Sequence, residues 1–463
     1  MIKLGFFGAA GEVTGSCYIL KTDRAQVMVD MGMHQGEKVA DEHNRRLPPV
    51  DLSKLDTVVL THAHLDHCGR LPLLTKHGYR GQIHCTAATA DVTGIILRDS
   101  AHLQAEDFAR FMRHVHGNEV HREPLYSVDD VERTLPRLTP LDYNEVKTIA
   151  EGISIKLIDA GHILGAASVQ MTVNDDSRTA TIVFSGDVGP TGAPILRDPI
   201  TPTPADVVLL ESTYGDHDHQ PLDKTLDELL SILRDAQATG SKVIVPAFAV
   251  GRAQDLIFHI GEFLRGGQLK SMNVYLDSPM AKSVTALYSH YTDIYDERAK
   301  QLLGEHMQPL NFPGLSYIES VDESKRLNDA KGPMVIIAAN GMCTGGRILH
   351  HLAHHLPEAN AHVLIVGYQG QGTLGRRLVD GATEVSIFGR RLAVRAKIHT
   401  LGGFSAHAGQ TGLVNWATPF QQRKPRLFLT HGEDPPRTAL HDRLKSQLGL
   451  DSEMPYYGDE VKL

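Results

Sequence analysis

The chain has 463 residues, enough for two or three domains with buried cores, and its 41% hydrophobic and 22% charged residues are those of an ordinary globular protein. Forty-six lysines and arginines against 55 aspartates and glutamates leave a formal charge of −9, so a nucleic-acid partner has to be met by a local basic groove, not by the global field. No apolar run approaches a membrane span, the start Met1-Ile2-Lys3-Leu4-Gly5 lacks signal-peptide architecture, and Cys17, Cys68, Cys85 and Cys343 form no Cys-x-x-Cys pair, which places free thiols in a reducing cytoplasm.

The N-terminal part reads as short strands, from Ile2 to Gly8, Ser16 to Lys21 and Gln26 to Met31, the third giving out at the acidic Asp30. A further strand, Asp56 to Leu60, runs into Thr61-His62-Ala63-His64-Leu65-Asp66-His67, where three imidazoles and a carboxylate fall within six residues. On extended chain His62 and His64 point the same way, and a turn after Leu65 brings Asp66 and His67 back. Imidazole and carboxylate suit zinc or a similar first-row ion. A closed structural zinc would usually draw on cysteine; these two ligand pairs predict two ions, and therefore more ligands elsewhere.

A helical pattern runs from Thr86 to Leu138, with Ile95, Ile96, Leu103, Phe108 and Phe111 as a core-facing stripe. The strands that follow each end in a candidate ligand: Asp159-Ala160-Gly161-His162, Ser185-Gly186-Asp187, and Glu211-Ser212-Thr213-Tyr214-Gly215. Any one of these is as easily a turn residue or cap; their repetition after successive strands is not.

Beyond the polar loop Asp216-His217-Asp218-His219 the texture changes. Three units of strand, glycine–arginine turn and helix occur, around Gly251-Arg252, Gly345-Gly346-Arg347 and Gly375-Arg376, which predicts parallel βαβ construction. Helix N-termini plus an arginine on one edge form an anion site suited to phosphates, with solvated turns as the plainer alternative. His350, His351, His354 and His355 read as an exposed or partly buried helix face, not a metal site. After a basic cluster at Arg390, Arg391, Arg395 and Lys397 come Gly403-Phe404-Ser405-Ala406-His407 and a last strand ending in Thr430-His431-Gly432-Glu433. The strand-then-histidine pattern has returned, so the middle segment reads as an insertion. The expected boundaries are 1–212 with 396–463 for the first domain and 213–395 for the insertion.

Asp30, His62-x-His64-x-Asp66-His67, His162, Asp187, Glu211, Gly-Phe-Ser-Ala-His407 and His431-Gly-Glu, in this order, resemble the β-CASP branch of the metallo-β-lactamase fold. That branch includes the endonuclease subunit of the messenger-RNA cleavage and polyadenylation machinery, its bacterial and archaeal relatives and, more distantly, ribonuclease J. Pro246-Ala-Phe-Ala-Val-Gly-Arg252, Asp277-Ser-Pro-Met280 and Gly367-Tyr-Gln369 are similar to segments of the family's insertion. The resemblance covers nearly the whole chain and implies an αββα sandwich with an inserted parallel-sheet α/β domain. It also implies two Zn2+ ions, with manganese as the alternative: one held by His62, His64 and His162, the other by Asp66, His67 and His431, with Asp187 shared. Asp30 would orient ligands from behind, and His407, paired with Glu211, would be the general acid. Arg252, Gly345, Gly346, Arg347, Gln369 and Arg376 would line the path of single-stranded RNA.

The implied reaction is hydrolysis of RNA phosphodiesters, internally or from the 5′ end, by water activated between the ions. Asn340 and Gly409 depart from the family pattern, and the chain starts directly on its first strand, so no RNA-binding extension is expected. Three rival readings stand beside this one. A DNA-processing nuclease shares the site chemistry. A hydrolase of thioesters, lactones or lactams has no use for the large insertion or for Glu211 and His407. A metal-free paralogue would have lost ligands, and here none is missing. No membrane partner is expected, and a homodimer is an assembly open to the chain.

Overall fold

A computed structural model describes residues 1–36, 38–112, 123–175, 178–367, 369–370 and 372–463. The chain divides into two compact units, one of residues 1–191, 198–218 and 407–463, the other of 192–197 and 219–406.

In the first unit two seven-stranded sheets sandwich a shared apolar core. One sheet contains Lys3–Phe6, Tyr18–Lys21, Gln26–Val29, Thr57–Val59 and Gln82–Cys85 in adjacent positions, antiparallel up to Gln26–Val29 and parallel from there on. The other contains Arg426–Thr430, Val207–Glu211, Arg178–Phe184, Ala167–Asp175 and Ile153–Asp159 in that order. Alternation along Val207–Glu211 shows how the layers arise. Val207 and Leu209 enter the inter-sheet core, while Val208 and Leu210 pack on the opposite face with Leu413, Trp416, Leu440 and Leu444 from the helices Gln410–Ala417 and Asp434–Leu448. The result is helices outside and sheets inside, with Val29, Val59, Asp159, Phe184, Glu211 and Thr430 ending strands that lead into or carry the candidate site residues.

Two glycines let these strand-end turns approach one another. A Cβ at Gly32 would sit 1.6 Å from the Asp66 carbonyl oxygen, and one at Gly189 would sit 1.8 Å from that of Gly161. Each collision is with backbone, so relief requires moving a ligand-bearing turn. Gly32→Ala is therefore expected to cost roughly 2–4 kcal/mol, read as a lower urea midpoint, with reduced metal content in the surviving fold.

The expected stripe on the long helix holds only over its first half. Within Ala87–Met112, Val92, Ile96, Leu97 and Ala101 are buried, whereas Leu103 is 50% and Phe111 37% exposed. The middle of the expected 86–138 helical stretch, residues 113–122, lies outside the described residues. Beyond it a short helix, Val128–Thr134, starts on a Ser127–Asp130 capping box, and Leu138–Pro140 is a strand.

The second unit is built on a six-stranded sheet whose strand pairs are all parallel, in the order Leu315–Tyr317, Asn273–Asp277, Met334–Ala338, Lys242–Pro246, His362–Ile365, Lys397–Thr400. Three of these strands precede the expected glycine–arginine turns. Lys397–Thr400 pairs with His362–Ile365, so the second unit runs on to Ala406, past the expected boundary at 395. The basic cluster is partly a hairpin, Glu384–Ile387 with Arg390–Ala393.

Candidate metal centre and active site

The first unit gathers every residue expected to hold metal. The reversal after Leu65 is a one-turn helix, Leu65–Cys68, which swings Asp66 and His67 back beneath His62 and His64. Four donor atoms then face one point. His64 Nδ1 lies 3.2 Å from His62 Nε2 and 3.0 Å from His162 Nε2, and Asp187 Oδ2 lies 3.4 Å from each of those Nε2 atoms. Beside them, His67 Nε2 is 3.2 Å from His431 Nε2 and 3.3 Å from Asp187 Oδ1, with Asp66 Oδ2 3.5 Å from His431 Nε2. Tetrahedral ligands at zinc-like bond lengths lie about 3.3–3.5 Å apart, so both donor sets fit a first-row divalent ion. Asp187 turns one carboxylate oxygen toward each set.

The outer nitrogens of the rings are tied down. His67 Nδ1 donates to Asp30 Oδ2 at 2.8 Å, and Asp30 in turn accepts from the Thr61 backbone N–H and hydroxyl, each at 2.8 Å. With its proton committed to Asp30, the Thr61 hydroxyl accepts from His62 Nδ1 at 3.1 Å. Thr213 plays the same part for His431, accepting from Nδ1 at 3.0 Å and donating to the His431 carbonyl oxygen. These bonds aim each Nε2 lone pair inward. Asp30 and His431 both hold φ in the left-handed region, 60° and 49°, which places backbone strain at the site itself. Thr61 and Thr213 were not singled out from the sequence; their signal was adjacency to His62 and Glu211. Thr61→Val and Asp30→Asn are expected to weaken metal affinity about 10–100-fold, measured by competition with a chromogenic chelator.

Burial pushes the His62 imidazole down to about 3 and His64 to about 4, and takes His162 well below the usual histidine range, so these three rings offer neutral lone pairs. At His67 burial acts the same way, but the Asp187 and Asp30 carboxylates outweigh it and hold the imidazolium well above the usual range. Asp187 is the counterpart: burial would raise it, yet His431, His67 and His62 hold it far below the usual carboxylate range. A cation held there by His67 would have to displace the proton from its Nε2. Metal retention on dialysis is expected to fall as pH is lowered, because protons then compete for that nitrogen.

Glu211 and His407 form a pair at the edge of this cluster. Glu211 is buried and accepts from the Val188 N–H at 2.7 Å. His407 Nδ1 donates to its two oxygens at 3.1 and 3.2 Å, leaving Nε2 3.8 Å from Asp187 Oδ2. Burial lowers the His407 pKa, but Glu211 and then Asp187 overcome it and raise the group to about 9. A cation at Asp187 cancels that residue's share, and the Glu211 share persists.

The expected phosphate contacts fare differently. Arg252 is 6% exposed and pairs with Asp255 at 2.9 Å. Arg347 pairs with Asp277 Oδ1 at 2.6 Å and donates to the Glu319 carbonyl oxygen. Both guanidinium groups thus have a carboxylate partner within their own unit. The Gln369 amide is buried and donates to the carbonyl oxygens of Gly341 and Gly367, linking two strand-end turns; Tyr368 lies outside the described residues. Arg376 is half-exposed and pairs with Asp380. Gly345 has open space where a side chain would stand, and Gly346 begins the helix Arg347–His355 at φ 77°. On that helix His351 and His355 are buried, bonded to Asp277 and Glu358, so the histidine run is half core.

Among known families, the Metallo-beta-lactamase superfamily matches residues 10–247, the Beta-Casp domain residues 253–378, and the Zn-dependent metallo-hydrolase RNA specificity domain residues 391–455. The chain is 39% identical to Ribonuclease TTHA0252 of Thermus thermophilus over 98% of both chains. It is 30% identical to an RNase J-like protein of Methanocaldococcus jannaschii over 94% of this chain and 93% of that one. It is 27% identical to Transcription termination factor FttA of the same organism over 100% of this chain and 72% of that protein. A solved structure of a protein of unknown function from Enterococcus faecalis matches over both full chains with a TM-score of 0.54 at 13% identity, a likeness of fold.

Proposed function

The chain belongs to the metallo-β-lactamase superfamily, in the branch that carries a Beta-Casp domain, and on that premise we propose that it is a metal-dependent ribonuclease hydrolysing RNA phosphodiester bonds. One observation carries the reading furthest: an imidazole anchored by a buried carboxylate, His407 on Glu211, stands at the edge of two donor sets that share Asp187. A hydrolase that cleaves a phosphodiester needs an acid for the departing ribose 3′-oxygen.

We assign two zinc ions, with manganese as the alternative, to the two sets: His62, His64 and His162, and Asp66, His67 and His431, with Asp187 common to both. The histidine-rich composition suits zinc. When bound, the pair supplies Lewis acidity, lowering the pKa of water and neutralising charge on the phosphoryl oxygens. Around it the side chains have distinct tasks. Asp30, Thr61 and Thr213 fix ring orientation and tautomer. Glu211 keeps Nδ1 of His407 occupied, so that the Nε2–H is the proton given to the 3′-oxygen as the P–O3′ bond breaks and the bond from water to phosphorus forms. The products are a 3′-hydroxyl and a 5′-phosphate. Arg252, Gly345, Gly346, Arg347, Gln369 and Arg376 are the candidates to contact the RNA backbone, the helix starts at Gly251 and Gly346 through their backbone N–H groups.

No helix among the described residues is long and apolar enough to cross a membrane, and the four cysteines are free and buried. We place the enzyme in the cytoplasm, acting on single-stranded RNA. Zinc-loaded protein is tested on internally labelled single-stranded RNA, the matching DNA and a small thioester. Internal, chelator-sensitive cuts in RNA are the expected result. Intact RNA with the thioester or DNA consumed would overturn the assignment.

A further inference from the structure

We propose that Glu12, His34 and His43 form a third divalent-metal site, distinct from the pair around Asp187, which clamps the loop after the first strand to the helix Lys38–Arg45. Their donor atoms lie within 4.8 Å of one another, and Glu12 Oε1 is 3.2 Å from His34 Nδ1. The side chain of His34 is 0% exposed, and neither ring nitrogen has a hydrogen-bond partner, since the approach of Glu12 is close but out of line. A buried imidazole with both nitrogens unmet is costly as it stands. A metal ion takes the lone pair of one nitrogen and the carboxylate charge together.

The surroundings hold the three groups in place. The His34 backbone N–H donates to Asn44 Oδ1 at 2.7 Å, and Asn44 Nδ2 returns a bond to the His34 carbonyl oxygen at 2.8 Å, which pins His34 beside the helix that carries His43. The ring packs so closely over Gly15 that a Cβ there would stand 2.4 Å from it. His43 is stacked on Tyr457 at 4.4 Å between ring centres, which sets its plane. Two imidazoles and one carboxylate are a zinc-type donor set that leaves a fourth position open. Buried Arg70, which donates to the His43 carbonyl oxygen at 2.8 Å, places a positive charge nearby and weakens the site. The third ion is therefore held less tightly than the pair. Its task follows from the loop it clamps: the carbonyl oxygens of Ala9 and Glu12 accept from the N–H groups of His431 and Gly432, so the loop bears on a ligand of the pair.

The test is zinc content per chain, by plasma mass spectrometry after loading with zinc alone and gel filtration. Wild type is expected to hold three ions, and Glu12→Gln and His43→Gln two, with the metal-free forms of both variants melting near metal-free wild type because both side chains are only partly buried. Asp187→Ala, which dismantles the pair, is expected to keep one. Under graded chelation the first ion to leave wild type is the one the two variants lack. Two ions in wild type, or three in both variants, would overturn the proposal whatever the nuclease assays show.

Discussion

Replacing Asp187 by alanine is expected to reduce RNA cleavage by about 10⁴-fold or more and to remove both ions around it, because one carboxylate serves two donor sets. Its oxygens stand 3.4 Å from His62 Nε2 and His162 Nε2 on one side and 3.3 Å from His67 Nε2 on the other. Loss of the ions removes the means of ionising water near neutral pH, where bulk water has a pKa far above that of metal-bound water. Metal content and single-turnover cleavage are measured on the same preparation. A variant that retained both ions and cleaved at the wild-type rate would show that Asp187 is not shared between them.

His407→Ala is the second large effect, and it separates chemistry from metal binding. No donor in either set is lost, so zinc content should stay at the wild-type level while the cleavage rate falls about 10²–10⁴-fold. The pH profile adds a sign. A general acid works protonated, so activity is lost as pH rises through the His407 pKa, which burial lowers and Glu211 raises; the value of about 9 also includes the share of Asp187, which bound cations would offset. Glu211→Gln removes the negative charge that persists once cations cover Asp187. The alkaline limb of kcat should then move to lower pH, the zinc content staying constant. A limb that stayed in place would assign that titration to another group.

The candidate ligands were legible because most of them stand just after a hydrophobic strand, and parallel or mixed sheets bring strand ends together whatever the register of the rest. His62 to His67 announced a site in six residues; His162, Asp187 and His431 followed by repetition of the same pattern. What escaped was whatever depends on a distant partner. Arg252 and Arg347 follow glycine turns as a phosphate site would require; Asp255 lies three residues from Arg252, but nothing within the turn at Arg347 foretells its pairing with Asp277, 70 residues away. The strand Lys397–Thr400 was hidden by its charge, since Lys397 reads as part of the basic cluster with Arg390, Arg391 and Arg395, at the boundary expected after residue 395. Leu103 and Phe111 have helical spacing, but spacing does not say where a core stops. The threonines behind the ligands act through a single hydroxyl, which composition and periodicity do not register.

The most direct measurement is to run the cleavage of an internally labelled RNA in ¹⁸O-water and read both new ends by mass spectrometry. The account predicts one ¹⁸O atom in the 5′-phosphate of the downstream fragment and an unmodified 3′-hydroxyl upstream, both absent when the ions are chelated. A 2′,3′-cyclic phosphate upstream would mean that the ribose 2′-oxygen and not water attacks phosphorus, and a 3′-phosphate without a cyclic precursor that the P–O5′ bond and not the P–O3′ bond breaks; either would contradict the account.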